Sequence, residues 1–290
     1  MSAKNEHDDV TGIETTGHEW DGIKELNNPL PRWWLWTFYA TIAFSVVYTI
    51  AYPAWPLLSS STSGMLGWSS RGNVVAELAA VEESRSALAD RLVNTELDAA
   101  QQDPELLQFA LAGGSSAFKV YCSQCHGAGA AGGGIYPNLV DDDWIWGGSL
   151  EDIHLTLRHG IRYAVDFDTR DSIMPAFGVD EILSREEISD TAWYVLSLTG
   201  RSEDSAAAER GMVLYEENCA SCHGEAAAGD RDFGAPALND AIWLYGSTHE
   251  EIVAQIANPR QGVMPGWQDR LSDTVLRQLT LYVHSLGGGE

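Results

Sequence analysis

The second half of this chain writes one pattern twice, and each copy carries a Cys-x-x-Cys-His motif. The first copy runs YCSQCHG, YPNL, WIWGGS, EDI, MPAFG, LS, WYVLSLTG; the second runs NCASCHG, APAL, WLYGST, EEI, MPGW, LS, LYVHSLGG. The order never breaks, so Cys122 matches Cys219, Trp144 matches Trp243, Gly147 matches Gly246, Met174 matches Met264 and Gly200 matches Gly287. A repeat of about 80–90 residues is a small domain, marginal unless something staples its core.

The chain has four cysteines, and all fall in these two motifs. A disulfide framework spreads its cysteines along the chain, and a thiol-redox centre needs one pair. Cysteines at i and i+3 share a helical face, so both thiols reach the two vinyl groups of one haem. The next residue then places an imidazole at the iron. Cys122 and Cys125 with His126, and Cys219 and Cys222 with His223, are therefore expected to hold two covalent haems c. Two of the five methionines occupy the matched pairs Met174-Pro175 and Met264-Pro265. A soft thioether favours ferrous iron, so Met174 and Met264 are the expected sixth ligands, core packing being the bland alternative. Loop length pairs each methionine with the haem of its own repeat.

Several further residues take expected roles around these sites. Pro137 and Pro236 follow each motif by a short loop, placing a carbonyl to accept the imidazole N–H. Trp144 and Trp243 wall the pockets. Arg158, Arg162 and Arg260 are either propionate partners or surface residues. His154, His159, His249 and His284 have no repeat partner of their own type and no assigned role. A zinc site built of four thiolates leaves both histidines and both Met-Pro pairs unexplained. A dihaem peroxidase needs one haem with an open sixth position, yet both copies carry the methionine. No catalytic residue is assigned.

Residues 33–52, WWLWTFYATIAFSVVYTIAY, contain no charge. About 20 such residues at the helical rise span a bilayer's hydrocarbon layer. Aromatics gather at both ends and Pro53 stops the helix, so a transmembrane helix is expected over 33–52. This anchor argues against a soluble shuttle. Residues 1–32 are polar and acidic, expected as a flexible cytoplasmic segment ending in a turn at Asn27-Asn28-Pro29-Leu30-Pro31. They lack the cationic start and early apolar run of a signal peptide. Residues 53–105 read as a linker and helical spacer, with apolar residues at helical spacing from Val75 to Leu92. Lys24 and Arg32 precede the span and Arg71 is the first cation after it, which puts the N-terminus inside. Covalent haem attachment outside the bacterial inner membrane puts the repeats in the periplasm.

The formal net charge of −25 argues against nucleic acid and anionic lipid surfaces as partners and for a basic soluble one. A generally well-solvated acidic surface is the other reading.

The stretch from His18 to Trp34, HEWDGIKELNNPLPRWW, resembles the N-terminal signature of the dihaem subunit (CcoP or FixP) of cbb3-type cytochrome c oxidases. The span and both repeats continue the resemblance over essentially the whole chain. It implies a mainly α fold: one N-terminal transmembrane helix plus two tandem class I cytochrome c-like all-α haem domains, at 106–200 and 206–290. It implies as partners a haem–copper catalytic subunit, a monohaem membrane-anchored cytochrome subunit and a donor cytochrome c. Electrons would pass from the donor through this chain towards a site that reduces dioxygen and pumps protons. A membrane-bound dihaem carrier of another respiratory chain is the alternative. The resemblance also raises an exchanged arrangement, with Met174 on the second haem and Met264 on the first.

Overall fold

The computed structural model describes residues 6–289 and shows a mainly helical chain. It divides into two compact units, one up to Ser84 and one from Arg85 onward.

The first unit contains an antiparallel hairpin, β1 (Thr15–Trp20) and β2 (Ile23–Leu26), where composition suggests a flexible segment. The physical reason is the Asp21-Gly22 turn: φ is +48° and +83°, both left-handed, as a two-residue hairpin turn with the right twist requires. Trp20 then pairs with Ile23, and Thr15 with Leu26. Helix α1 (Arg32–Ala51) follows the charge-free run, and the Tyr52 N–H still bonds the Tyr48 carbonyl before Pro53 ends it. No residue of α1 is buried. Among the described residues it is the one helix long and apolar enough to cross a membrane. Helix α2 (Ser70–Val93) is exposed along most of its length and begins within the first unit.

In the second unit, α2 ends and α3 (Leu97–Gln102) and α4 (Pro104–Tyr121) follow. Pro104 starts α4 with Asp103 as its cap, the side chain accepting from the N–H groups of Glu105 and Leu106. Leu92, Leu97, Ala100 and Leu106 bury a small core with Leu150 and Leu281. Each Cys-x-x-Cys-His motif forms a short helical turn, α5 (Ser123–His126) and α9 (Ala220–His223), at the end of α4 and of α8 (Ser205–Asn218) respectively. Helices α6 (Leu150–His159) and α10 (His249–Ala257) come next in each repeat. The repeats close with α7 (Arg185–Leu198) and α11 (Asp273–His284), capped by Ser184 and Ser272.

The closing helices are exchanged between repeats. Leu276, Leu279 and Val283 of α11 bury against Phe118 of α4 and Ile153 and Leu157 of α6. Ile188, Ala192, Val195 and Leu196 of α7 bury against Ile252 and Ile256 of α10, with Leu214 of α8 alongside. A fork of two bonds, Arg210 Nε and Nη2 to the two Asp190 oxygens at 2.7 and 2.6 Å, ties α8 to α7. The division at 200–206 thus separates the repeats of the sequence, while each packed body takes its opening helix from one repeat and its closing helix from the other.

Candidate haem centres

Each motif sits where a long helix ends and the chain turns over a small-residue loop. The Cys122 N–H bonds the Phe118 carbonyl as α4 stops, and the His126 N–H bonds back to the Cys122 carbonyl at 3.0 Å. The second motif repeats this: Cys219 N–H to Tyr215, and His223 N–H to Cys219 at 3.0 Å. None of the four cysteines is in a disulfide.

His126 Nδ1 lies 3.1 Å from the Pro137 carbonyl oxygen, and His223 Nδ1 lies 2.9 Å from that of Pro236. A carbonyl only accepts, so each imidazole carries its proton on Nδ1 and leaves Nε2 with a free lone pair. Burial pulls both histidines below their ordinary range and so favours the neutral imidazole a metal needs; the carbonyl bond opposes that shift without being its larger cause. The donor set at each motif therefore fits a covalent haem: two thiols a turn apart and one oriented neutral imidazole.

The methionines lie in the bodies formed by exchange. Met264 packs against the core that contains Phe118, Cys122, Ala130 and Leu157. Met174 packs against the core of α7 and α10, with Leu214, Leu238 and Trp243. Their backbones are tied down differently. The Ile161 N–H bonds the Met264 carbonyl at 2.9 Å, and the Met264 N–H bonds the Ile161 carbonyl at 3.0 Å. Met174 is paired instead by a side chain: its N–H donates to Gln261 Oε1 at 3.0 Å, and Gln261 Nε2 donates to its carbonyl at 3.1 Å.

The arginines suggested by sequence divide. Arg162 is half-buried, with Nε on the Gly262 carbonyl at 2.8 Å and Nη1 on the Ser172 carbonyl at 3.0 Å. Arg260 lies over the Tyr245 ring and donates to the Tyr245 carbonyl, and Arg158 reaches Gln268 from an exposed position. Trp144 donates its indole N–H to the Gly288 carbonyl. Two buried donors, Trp243 Nε1 and Arg170 Nε, have no acceptor among the described residues. Arg170, which no motif marks, also pairs Asp152 at 2.9 Å and lies over Trp146. His159 pairs with Asp166 at 3.1 Å, and Gln268 Nε2 donates to the same carboxylate at 2.9 Å. His154 faces Thr280, His249 stacks on Trp193, and His284 meets Gln101.

Fold and site together define a class: a tandem c-type cytochrome, mainly helical, behind one candidate membrane helix. The family model described as the N-terminal domain of cytochrome oxidase-cbb3, FixP, matches residues 12–59. The model described as cytochrome c oxidase, cbb3-type, subunit III, matches residues 109–195 and 206–283. The chain is 50% identical over 291 residues to the cbb3-type cytochrome c oxidase subunit FixP of Sinorhizobium medicae, covering 100% of both chains. It is 49% identical over 276 residues to subunit CcoP of Cereibacter sphaeroides, covering 95% of each. It is 51% identical over 284 residues to subunit FixP of Azorhizobium caulinodans, covering 98% of this chain and 96% of that one. The chain belongs to the FixP/CcoP family, subunit III of cbb3-type cytochrome c oxidases.

Proposed function

We propose that this chain carries two haems c, one on Cys122 and Cys125 with His126 as iron ligand, the other on Cys219 and Cys222 with His223. Met264 is the sixth ligand of the first iron and Met174 that of the second, an exchanged pairing. The observation that carries the haem reading is the matched pair of carbonyl bonds, His126–Pro137 and His223–Pro236, which frees Nε2 at both motifs. The exchange is supported by Met264 packing on the core that contains Cys122, and by Met174 sharing a core with Leu214 of α8. Trp243 Nε1 and Arg170 Nε suit the acceptor oxygens of haem propionates.

Bound haem iron supplies reversible one-electron exchange. The chain's own residues hold each porphyrin by two thioethers, fix the imidazole tautomer, and raise the potential with a soft sulfur. Electrons enter from a donor cytochrome c and leave towards the haem–copper catalytic subunit of a cbb3-type oxidase, with a monohaem cytochrome subunit in the same complex. Dioxygen reduction and proton pumping belong to the complex, and the isolated chain is an electron carrier without chemistry of its own. α1 anchors it in the bacterial inner membrane, with the N-terminus cytoplasmic and residues after Pro56 periplasmic.

Purification from membranes by a tag on this chain tests the proposal. Co-elution of a haem–copper oxidase and two covalent haems per chain is expected. A lone chain with peroxidase activity would overturn it.

A further inference from the structure

The segments that carry the two methionines are joined to each other. Gln261 lies three residues before Met264 and makes both backbone pairings of Met174. Arg162 follows Ile161, the residue whose backbone pairs with Met264. Its guanidinium spans the two segments, reaching the Gly262 carbonyl two residues before Met264 and the Ser172 carbonyl two residues before Met174. Arg162 itself sits at φ +50°, a conformation that costs a non-glycine residue energy and persists only where the surroundings enforce it.

From this geometry we propose that Gln261 and Arg162 are positioning residues for the distal ligands. Gln261 sets the Met174 loop alone, and Arg162 locks both loops into one hydrogen-bonded block. The proposal rests on Met174 and Met264 being iron ligands. Its asymmetry follows from how each methionine is held. Ile161 holds Met264 through a backbone pair that a change at Gln261 leaves in place, whereas Gln261 holds Met174 through an amide that one substitution deletes. Arg162 acts by shape rather than charge, because its two acceptors are neutral carbonyls. A lysine offers one compact ammonium where two carbonyls need a planar fork.

The test uses the haem-loaded full chain. It reads the long-wavelength sulfur-to-iron charge-transfer band and the two midpoint potentials in a redox titration. Met174→Ala is the reference: loss of about half the band and a fall in one potential are required first, and failure there sinks the ligation reading rather than the clamp. Gln261→Ala is then expected to weaken the band at the same haem and lower that potential towards the Met174→Ala value, leaving the other haem unchanged. Gln261→Glu keeps the acceptor for the Met174 N–H and is expected to fall between wild type and Gln261→Ala. Should Gln261→Ala not accumulate, this variant carries the test. Arg162→Ala is expected to shift both haems, and Arg162→Lys to behave like it. If Gln261→Ala or its substitute left band and potentials at wild type, or if Arg162→Lys restored both haems, the proposal would be overturned.

Discussion

Ile161 and Met264 form an antiparallel backbone pair, N–H to carbonyl in both directions at 2.9 and 3.0 Å, across a sequence separation that crosses from one repeat to the other. The pair brings the methionine of the second repeat to the body built on the first Cys-x-x-Cys-His motif. A helix exchange accompanies it, and the consequences of that exchange can be measured.

Gly114 and Gly211 stand at the matched position eight residues before each motif's first cysteine, where the opening helix meets the exchanged closing helix. A Cβ on Gly114 would lie 2.2 Å from the Gln278 carbonyl oxygen, and one on Gly211 would lie 2.0 Å from that of Asp190. Helix propensity alone favours alanine by about 1 kcal/mol. Overpacking against a backbone atom that cannot rotate away costs about 1–3 kcal/mol and wins. Gly114→Ala and Gly211→Ala are each expected to lower stability in thermal unfolding, against the sign that propensity gives.

Phe118 and Tyr215 are repeat equivalents four residues before each motif, and both are fully buried. The Tyr215 hydroxyl donates to the Gly224 carbonyl at 2.8 Å. Tyr215→Phe copies the first repeat and is expected to cost about 1 kcal/mol, the net worth of one hydrogen bond. Phe118→Ala leaves a cavity and is expected to cost about 3–5 kcal/mol. Chemical denaturation of the haem-loaded chain compares the two.

Burial, with the nearby Arg277 adding to it, pushes His154 down to about 4; Asp273 opposes and Arg158 and His159 lower it further. Its Nδ1 lies 3.1 Å from the Thr280 hydroxyl, tying α6 to α11. The folded state holds this histidine neutral, so unfolded chains bind its proton first as pH falls. Its contribution is present above about pH 6.5 and is lost between there and about pH 4, on the order of 3 kcal/mol. His154→Phe is expected to flatten that part of the stability–pH profile; an unchanged slope counts against it.

The net charge of −25 gives the chain a strongly acidic surface. An acidic surface speeds encounter with a cationic donor cytochrome, and salt screens it over about 8–10 Å. Stopped-flow reduction by a basic donor is expected to slow as ionic strength rises. A rate indifferent to salt would leave the charge as solvation only.

Features legible in the sequence are those written at short range. The motif spacing and the charge-free run of α1 each need only neighbouring residues, and the helical turns and the long helix stand where those residues put them. The exchange is different in kind. The closing helices α7 and α11 are both amphipathic, and Gly114 and Gly211 present the same slot to either. Local pattern is therefore satisfied by both pairings, and only contacts between distant residues distinguish them. Gln261 carries no motif at all, because an amide that pairs a backbone looks like any polar loop residue. The hairpin at Thr15–Leu26 turns on Asp21-Gly22, a two-residue signal set among acidic and polar residues that by composition alone suit a flexible segment.

Methionine-methyl NMR of the reduced, haem-loaded chain distinguishes exchanged ligation from ligation within each repeat. With the haems assigned through their thioether bonds, the Met264 methyl should show dipolar contacts to the haem on Cys122 and Cys125. The Met174 methyl should show them to the haem on Cys219 and Cys222. Contacts from each methyl to the haem of its own repeat would rule out the exchange.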